Sequence, residues 1–202
     1  MSNNSTSAQR YALSFTTGGL LEREAAVLAP LYGEHRNWAR VRVVAVENNL
    51  LQARTRSTGV RRVRETINRM SALPDRGIEM LGDVTASERG HLMWAAACRR
   101  YDLIGEFAEE VLRERFLTLA GTVSYCDYDS YYRGKAMWHD ELSEVTDLSY
   151  KKLRQVLFKM MIEAELVTAK GAIEPVLLSA HVAELLAQSA PSDIRFFPTR
   201  EA

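Results

Sequence analysis

Val60, Val63, Ile67 and Met70 recur at i, i+3, i+7 and i+10, a spacing that commits their segment to an α-helix. At about 100° per residue the four fall on one stripe, whereas a strand would scatter them over both faces. On the same count Arg61, Arg62, Glu65, Asn68 and Arg69 fall on the opposite, solvated face, and Pro74 stops the helix. Ser57 or Thr58 supplies a hydroxyl cap. Upstream, LLEREAAVLAPLYG follows Gly18-Gly19 and reads as a helix that Pro30 bends or ends and Gly33 closes. From Asn37, NWARVRVVAVENNLL gathers Trp38, Val41 and Ala45 on one side of a further helix.

The helical period continues downstream. Thr85-Ala86-Ser87-Glu88 has the capping-box pattern and leads into RGHLMWAAACRRY. Asp102 begins LIGEFAEEVLRERFLTL, which ends near Gly121, and another helix runs from about Asp129 through YYRGKAMWHDELSEV. Thr146-Asp147-Leu148-Ser149 caps YKKLRQVLFKMMIEAEL, with Leu153, Val156, Leu157, Met160 and Ala164 on one face and Lys152, Gln155 and Lys159 on the other. The apolar runs Leu166–Thr168 and Ile173–Leu178 are expected to pair as a small hairpin, and Ser179 caps a last helix. Helix, turn, basic helix, hairpin is the order of a winged helix.

The expected fold is therefore mainly α, a helical bundle. Residues 1–10 form a polar tail expected to be disordered. Residues 11–82 form an N-terminal basic helix-turn-helix region, residues 83–147 a central helical body, and residues 148–202 a C-terminal winged-helix-like unit.

Charge divides along the same lines. Residues 1–82 hold twelve basic and seven acidic side chains, residues 83–147 seven and thirteen, and residues 148–202 seven and six, for a net charge of zero. Between Arg36 and Arg69 nine arginines face only Glu47 and Glu65. A basic block beside an acidic one implies an anionic partner at one end and a different contact at the other.

Several functions find no support. The longest uncharged stretches, Tyr11–Leu21 and Phe116–Cys126, have eleven residues, whereas a membrane-spanning helix needs about 20 apolar ones. The opening MSNNSTSAQR lacks a basic and an apolar region, so no signal peptide is expected, and Cys98 and Cys126 form no CxxC; a reducing cytoplasm is the expected compartment. His35, His91, His139 and His181 have no metal-ligand spacing, and no phosphate-binding glycine loop or Gly-x-Ser-x-Gly occurs. The chain is expected to be non-enzymatic, without metal or cofactor.

Nucleic-acid binding has better support. Gln52, Arg54, Thr55, Arg56, Ser57 and Thr58 mix guanidinium groups with amide and hydroxyl donors at a helix N-terminus, an end that itself favours anions. Arg61, Arg62 and Arg69 extend the positive surface, and Lys151, Lys152, Arg154, Gln155 and Lys159 make a second one. The same arginines also suit a solvated face paired with the acidic middle, and charge arithmetic does not separate the two readings. The second basic helix with its wing tips the balance toward DNA or RNA. Trp38, Trp94 and Trp138 are expected in the core. Tyr125, Tyr128, Tyr131 and Tyr132, with Asp127 and Asp129, suit either a protein-contact surface or a lid on the core.

Six stretches, LSFTTGGLL, ENNLLQARTRST, CRRYDLIGEFAEEVLRERF, KAMWHDEL, KKLRQVLFKMM and FFP, together make the chain resemble the BrxA family, the small protein of BREX bacteriophage-exclusion systems, over roughly residues 11–198. The resemblance implies a helical protein with winged-helix-like parts that binds double-stranded DNA and supports phage defence without known catalysis. It would work beside a methyltransferase, a phosphatase-like protein and ATPases. An old family label of inner-membrane protein conflicts with the short uncharged stretches. The alternatives are a protein–protein adaptor of the defence complex and a helical RNA-binding module.

Overall fold

The computed structural model describes residues 10–200; of the tail expected at residues 1–10, all but Arg10 lies outside the described residues. Among the described residues, eleven α-helices follow a non-helical strap that runs from Tyr11 to Leu21. Among the described residues the only β pairing is two isolated antiparallel bridges, Val167 to Ile173 and Thr122 to Ala172. The expected hairpin is therefore one bridge closed by a left-handed Gly171, and Pro175, which has no N–H to donate, stands two residues beyond Ile173.

Helix α1 (Glu22–His35) starts after the Gly pair and passes through Pro30 and Gly33. Gly82 on α4 (Asp75–Asp83) lies against the Pro30 ring, and Arg36, at φ 48°, ends α1 by donating its N–H to Tyr32 O at 2.8 Å. Asn37 caps α2 (Trp38–Glu47) by accepting from Arg40 N at 3.0 Å. Helix α3 (Arg56–Met70) is capped by Thr55, whose hydroxyl accepts from Thr58 N at 3.2 Å, and not by Ser57 or Thr58. Of three hydroxyls in one run, Thr55 is the one whose backbone is extended, as a capping residue requires.

The Thr85–Glu88 capping box opens α5 (Ala86–Arg100), whose residues Gly90 to Cys98 are all buried. Helix α6 (Asp102–Phe107) continues through a π-helical stretch, Ala108–Arg113, into α7 (Glu114–Leu117). Helix α8 (Tyr125–Ala136) begins before Asp129, because Asp127 accepts from the Ser124 N–H and hydroxyl at 2.7 Å each. It does not run on as expected: the chain breaks and restarts as α9 (Asp140–Ser143). Tyr132 Oη donates to Leu142 O at 2.9 Å, and Tyr11 N donates to Glu141 at 2.7 Å, so tertiary contacts turn α9 back. Thr146 caps α10 (Asp147–Glu163) as expected, and α11 (Ala180–Ala187) precedes a 3₁₀ turn, Asp193–Phe196.

One continuous core runs from Tyr11 to Phe197. Trp94 is fully buried and donates Nε1–H to Phe196 O at 2.9 Å. Trp38 is half-buried and stacks on Tyr32 at 4.0 Å. Trp138 departs from expectation at 80% exposed, because it falls in the break between α8 and α9.

The largest correction concerns α3. Val63, Ile67 and Met70 are buried as the stripe predicts, but Val60 is 39% exposed while Glu65 and Arg69 are buried. Helices α1, α2 and α5 all pack on α3 and the strap covers its remaining flank, so the buried arc is wider than the apolar stripe. Arg69 is fully enclosed: Nε pairs with Glu65 at 2.9 Å, and Nη1 donates to Gly19 O at 2.5 Å and Leu20 O at 3.3 Å. Nη2 reaches the Phe15 and Thr17 carbonyls at 3.5 Å, and Tyr101 Oη donates to Glu65 at 2.7 Å. Arg69 is structural, and its guanidinium cannot meet a phosphate.

Candidate nucleic-acid interface

What α3 leaves exposed is basic. Arg56, Val60 and Arg64 follow at four-residue spacing, with Ser57 and Arg61 beside them, all exposed. Gln52, Arg54 and Thr55 precede the helix and are exposed too; Thr58 is half-buried. The loop that carries them is held by Asn49, whose amide accepts from Ala53 N at 2.9 Å and donates to Ala53 O at 3.2 Å. Gln52 and Asn49 are both left-handed, at φ 47° and 45°, which makes the reversal between α2 and α3 tight. A cavity of about 260 Å³ opens there, lined by Glu47 and Asn49 on one side and Arg54 and Arg56 on the other.

Ion pairs are sparse on this surface. Arg40, Arg42, Arg54, Arg56, Arg61 and Arg64 have no carboxylate partner among the described residues. Elsewhere many arginines are matched, such as Arg36 with Glu79 and Asp75, Arg76 with Glu184 at 2.9 Å, and Arg115 with Asp127 at 2.9 Å, although Arg100 and Arg133 also lack a carboxylate partner among the described residues. The hydroxyls contribute less than expected, since Thr55 Oγ1 serves the cap and contacts Thr58 Oγ1 at 2.8 Å. Arg40, Arg42 and Arg64 were absent from the sequence-predicted site. Their signal was present: Arg40 and Arg42 flank the buried Val41, and Arg64 follows the buried Val63.

Other predicted residues are placed differently. Arg62 pairs with Glu24, and Lys159 lies 3.6 Å from Glu163. Both line one cleft of about 490 Å³ with Glu22, so the two basic helices meet at a seam that carboxylates already neutralise. Lys151, Lys152 and Gln155 are exposed on α10, with Lys152 Nζ 3.4 Å from Gln155. Arg154 turns inward, holding both Asp129 oxygens at 2.7 and 2.8 Å and lying over the Tyr125 ring at 4.3 Å. Burial works against the Asp129 carboxylate, yet hydrogen bonds from Tyr150 and Arg154 hold its pKa below the usual range.

The tyrosine cluster forms part of the core. Tyr128, Tyr131 and Tyr132 are buried against Phe107 and one another, and only Tyr125 is substantially exposed. Tyr131 and Tyr132 donate to the Leu103 and Leu142 carbonyls at 3.0 and 2.9 Å, which makes them packing residues. No group of three potential metal ligands occurs among the described residues, and burial pushes the Cys98 thiol well above its usual range. No helix among them is long and apolar enough to cross a membrane.

A sequence model of the BrxA family matches residues 9–190. The chain belongs to the BrxA family. A relative named BREX protein BrxA, from Bacillus cereus (strain H3081.97), is 24% identical over 124 residues, covering 61% of this chain and 62% of the relative. The crystal structure of an uncharacterized protein from Magnetospirillum magneticum superposes with a TM-score of 0.76 at 20% identity, covering 94% of this chain and 98% of that one. This second likeness extends the BrxA-family chain's helical fold to a solved structure.

Proposed function

We propose that this BrxA-family chain is a non-enzymatic DNA-binding component of a BREX-type phage-defence system, acting in the cytoplasm beside other BREX proteins. The observation that carries the reading is the set of six guanidinium groups on α2, α3 and the loop between them that meet no carboxylate among the described residues. Unpaired arginines on an exposed helical surface suit the phosphates of double-stranded DNA, and the N-terminal N–H groups of α3 add to the attraction. In this reading α2 and α3 act as a helix-turn-helix pair, and α10 with the Val167–Ile173 bridge is a reduced winged helix whose Lys151 and Lys152 lie on a separate surface. The name of the Bacillus cereus relative supports the defence assignment.

The test is a binding titration of duplex DNA by the unaltered chain and by Arg54→Ala/Arg56→Ala/Arg61→Ala/Arg64→Ala at several salt concentrations. Arg62 is left unaltered because it already serves Glu24. Binding should weaken strongly, and the log–log salt slope should flatten by about 0.9 for each phosphate that is no longer neutralised. An unchanged affinity and slope in the folded variant would mean the arginines are a solvated face. Preference for structured RNA over duplex DNA would favour the RNA-binding alternative.

A further inference from the structure

The α8–α10 side of the molecule carries apolar side chains that nothing among the described residues covers. Met137 and Trp138 are 76% and 80% exposed, and Leu148 is 80% exposed. Glu144 joins them into one patch: it lines a cavity of about 310 Å³ with Trp138 and another of about 530 Å³ with Leu148. The surroundings are acidic, since residues 136–150 contain Asp140, Glu141, Glu144 and Asp147 and no lysine or arginine. Arg10 approaches Glu141 and Glu144 only to 4.0 and 3.9 Å, and Lys152 is the one base on the larger cavity.

A surface of matching chemistry exists on the same chain. Val60 is exposed between Arg56 and Arg64 on α3, and Val43 is exposed beside Arg42 on α2. Guanidinium groups stack on an indole and fork onto carboxylates, and an exposed tryptophan surrounded by charge of one sign is a natural anchor for such a face. Overall neutrality also removes the net repulsion that keeps identical chains apart.

We infer that the α2–α3 face of a second copy of this chain docks on the Trp138–Glu144–Leu148 patch of the first. The arrangement is head-to-tail, so each added copy leaves one patch and one arginine face open and assembly proceeds beyond a dimer. Duplex DNA, on the function proposed above, occupies the same arginines and so competes with the second copy. That competition rests on the DNA reading, whereas the self-association does not.

Sedimentation velocity of the full chain, over a range of concentrations at low and high salt, tests the inference. At low salt the average mass should rise with concentration to at least twice the 22.8 kDa of the chain, and high salt should reverse it. Trp138→Ala/Glu144→Ala should remain monomeric, as should Arg56→Ala/Arg64→Ala; all four side chains are exposed, and unchanged circular dichroism confirms the fold of each variant. Mixing the two variants leaves one intact patch and one intact face, so they should form a one-to-one dimer that grows no further. A monomeric unaltered chain at every concentration overturns the inference, as does association that survives either variant. Adding duplex DNA to the unaltered assembly should release DNA-bound single copies. Assembly without DNA binding, or DNA binding without assembly, makes the two readings fail separately.

Discussion

At Arg69 a guanidinium with no exposure is balanced by one carboxylate and by carbonyls of the strap. Arg69→Ala would leave Glu65 buried with Tyr101 as its remaining donor. Breaking a buried pair from one side costs about 3–5 kcal/mol, and a loss of that size should appear in chemical denaturation. Arg69→Lys should recover only part of it, because an ammonium lacks the planar fork. None of this was legible locally: Arg69 has nearly the helical phase of Arg62, and an apolar stripe does not report flanks closed by backbone carbonyls. His91 makes a second residue-scale case. It is buried, its Nδ1 lacks a hydrogen-bond partner, and it meets Phe197 edge-on at 5.9 Å. Burial lowers its pKa below the usual 6.5, with Glu165 and Glu88 opposing. The unfolded chain therefore takes up this proton more readily, so the contribution is full above about 6.5 and lost as pH falls below it. Melting temperature should fall on mild acidification, and His91→Phe should flatten that dependence.

Among the elements, those with a local signal were readable. Thr85 with Glu88 and Thr146 before α10 cap as their spacing predicts, because a cap is an interaction within four residues. Helix α3 shows the limit of such reading: period placed it, but three hydroxyls competed for its cap. Thr55→Ala should lower stability by about 1 kcal/mol in thermal or chemical unfolding, whereas Ser57→Ala should change it little. The break between α8 and α9 carried no such signal, since Tyr132 reaches it from α8 itself across ten residues and Tyr11 from the strap. The exposed arc of α3 was half legible. The helical period located Arg61, but separating unpaired arginines from paired ones required knowing that Glu24 stands beside Arg62 and that no carboxylate stands beside Arg64 among the described residues.

For the whole molecule, helical class and charge division were open to inspection in the sequence, while the way the strap closes the bundle was not. Tyr11 binds Glu106 on α6 at 2.6 Å and Glu141 on α9 at 2.7 Å; Leu20 N donates to Glu163 on α10 at 2.5 Å; Arg69 on α3 holds the carbonyls between. Eleven residues, Tyr11 to Leu21, thus stitch together helices drawn from all three segments of the chain. A half-docked strap would leave a charged side chain in the interior without its acceptors, so partial closure is disfavoured. The strap and the helices beneath it should consequently open as one cooperative unit. In native-state hydrogen exchange the Leu20 amide should be as protected as those of α5, despite lying near the N-terminus and outside any helix. Early exchange at Leu20 would show instead that the stitch frays independently of the cloth.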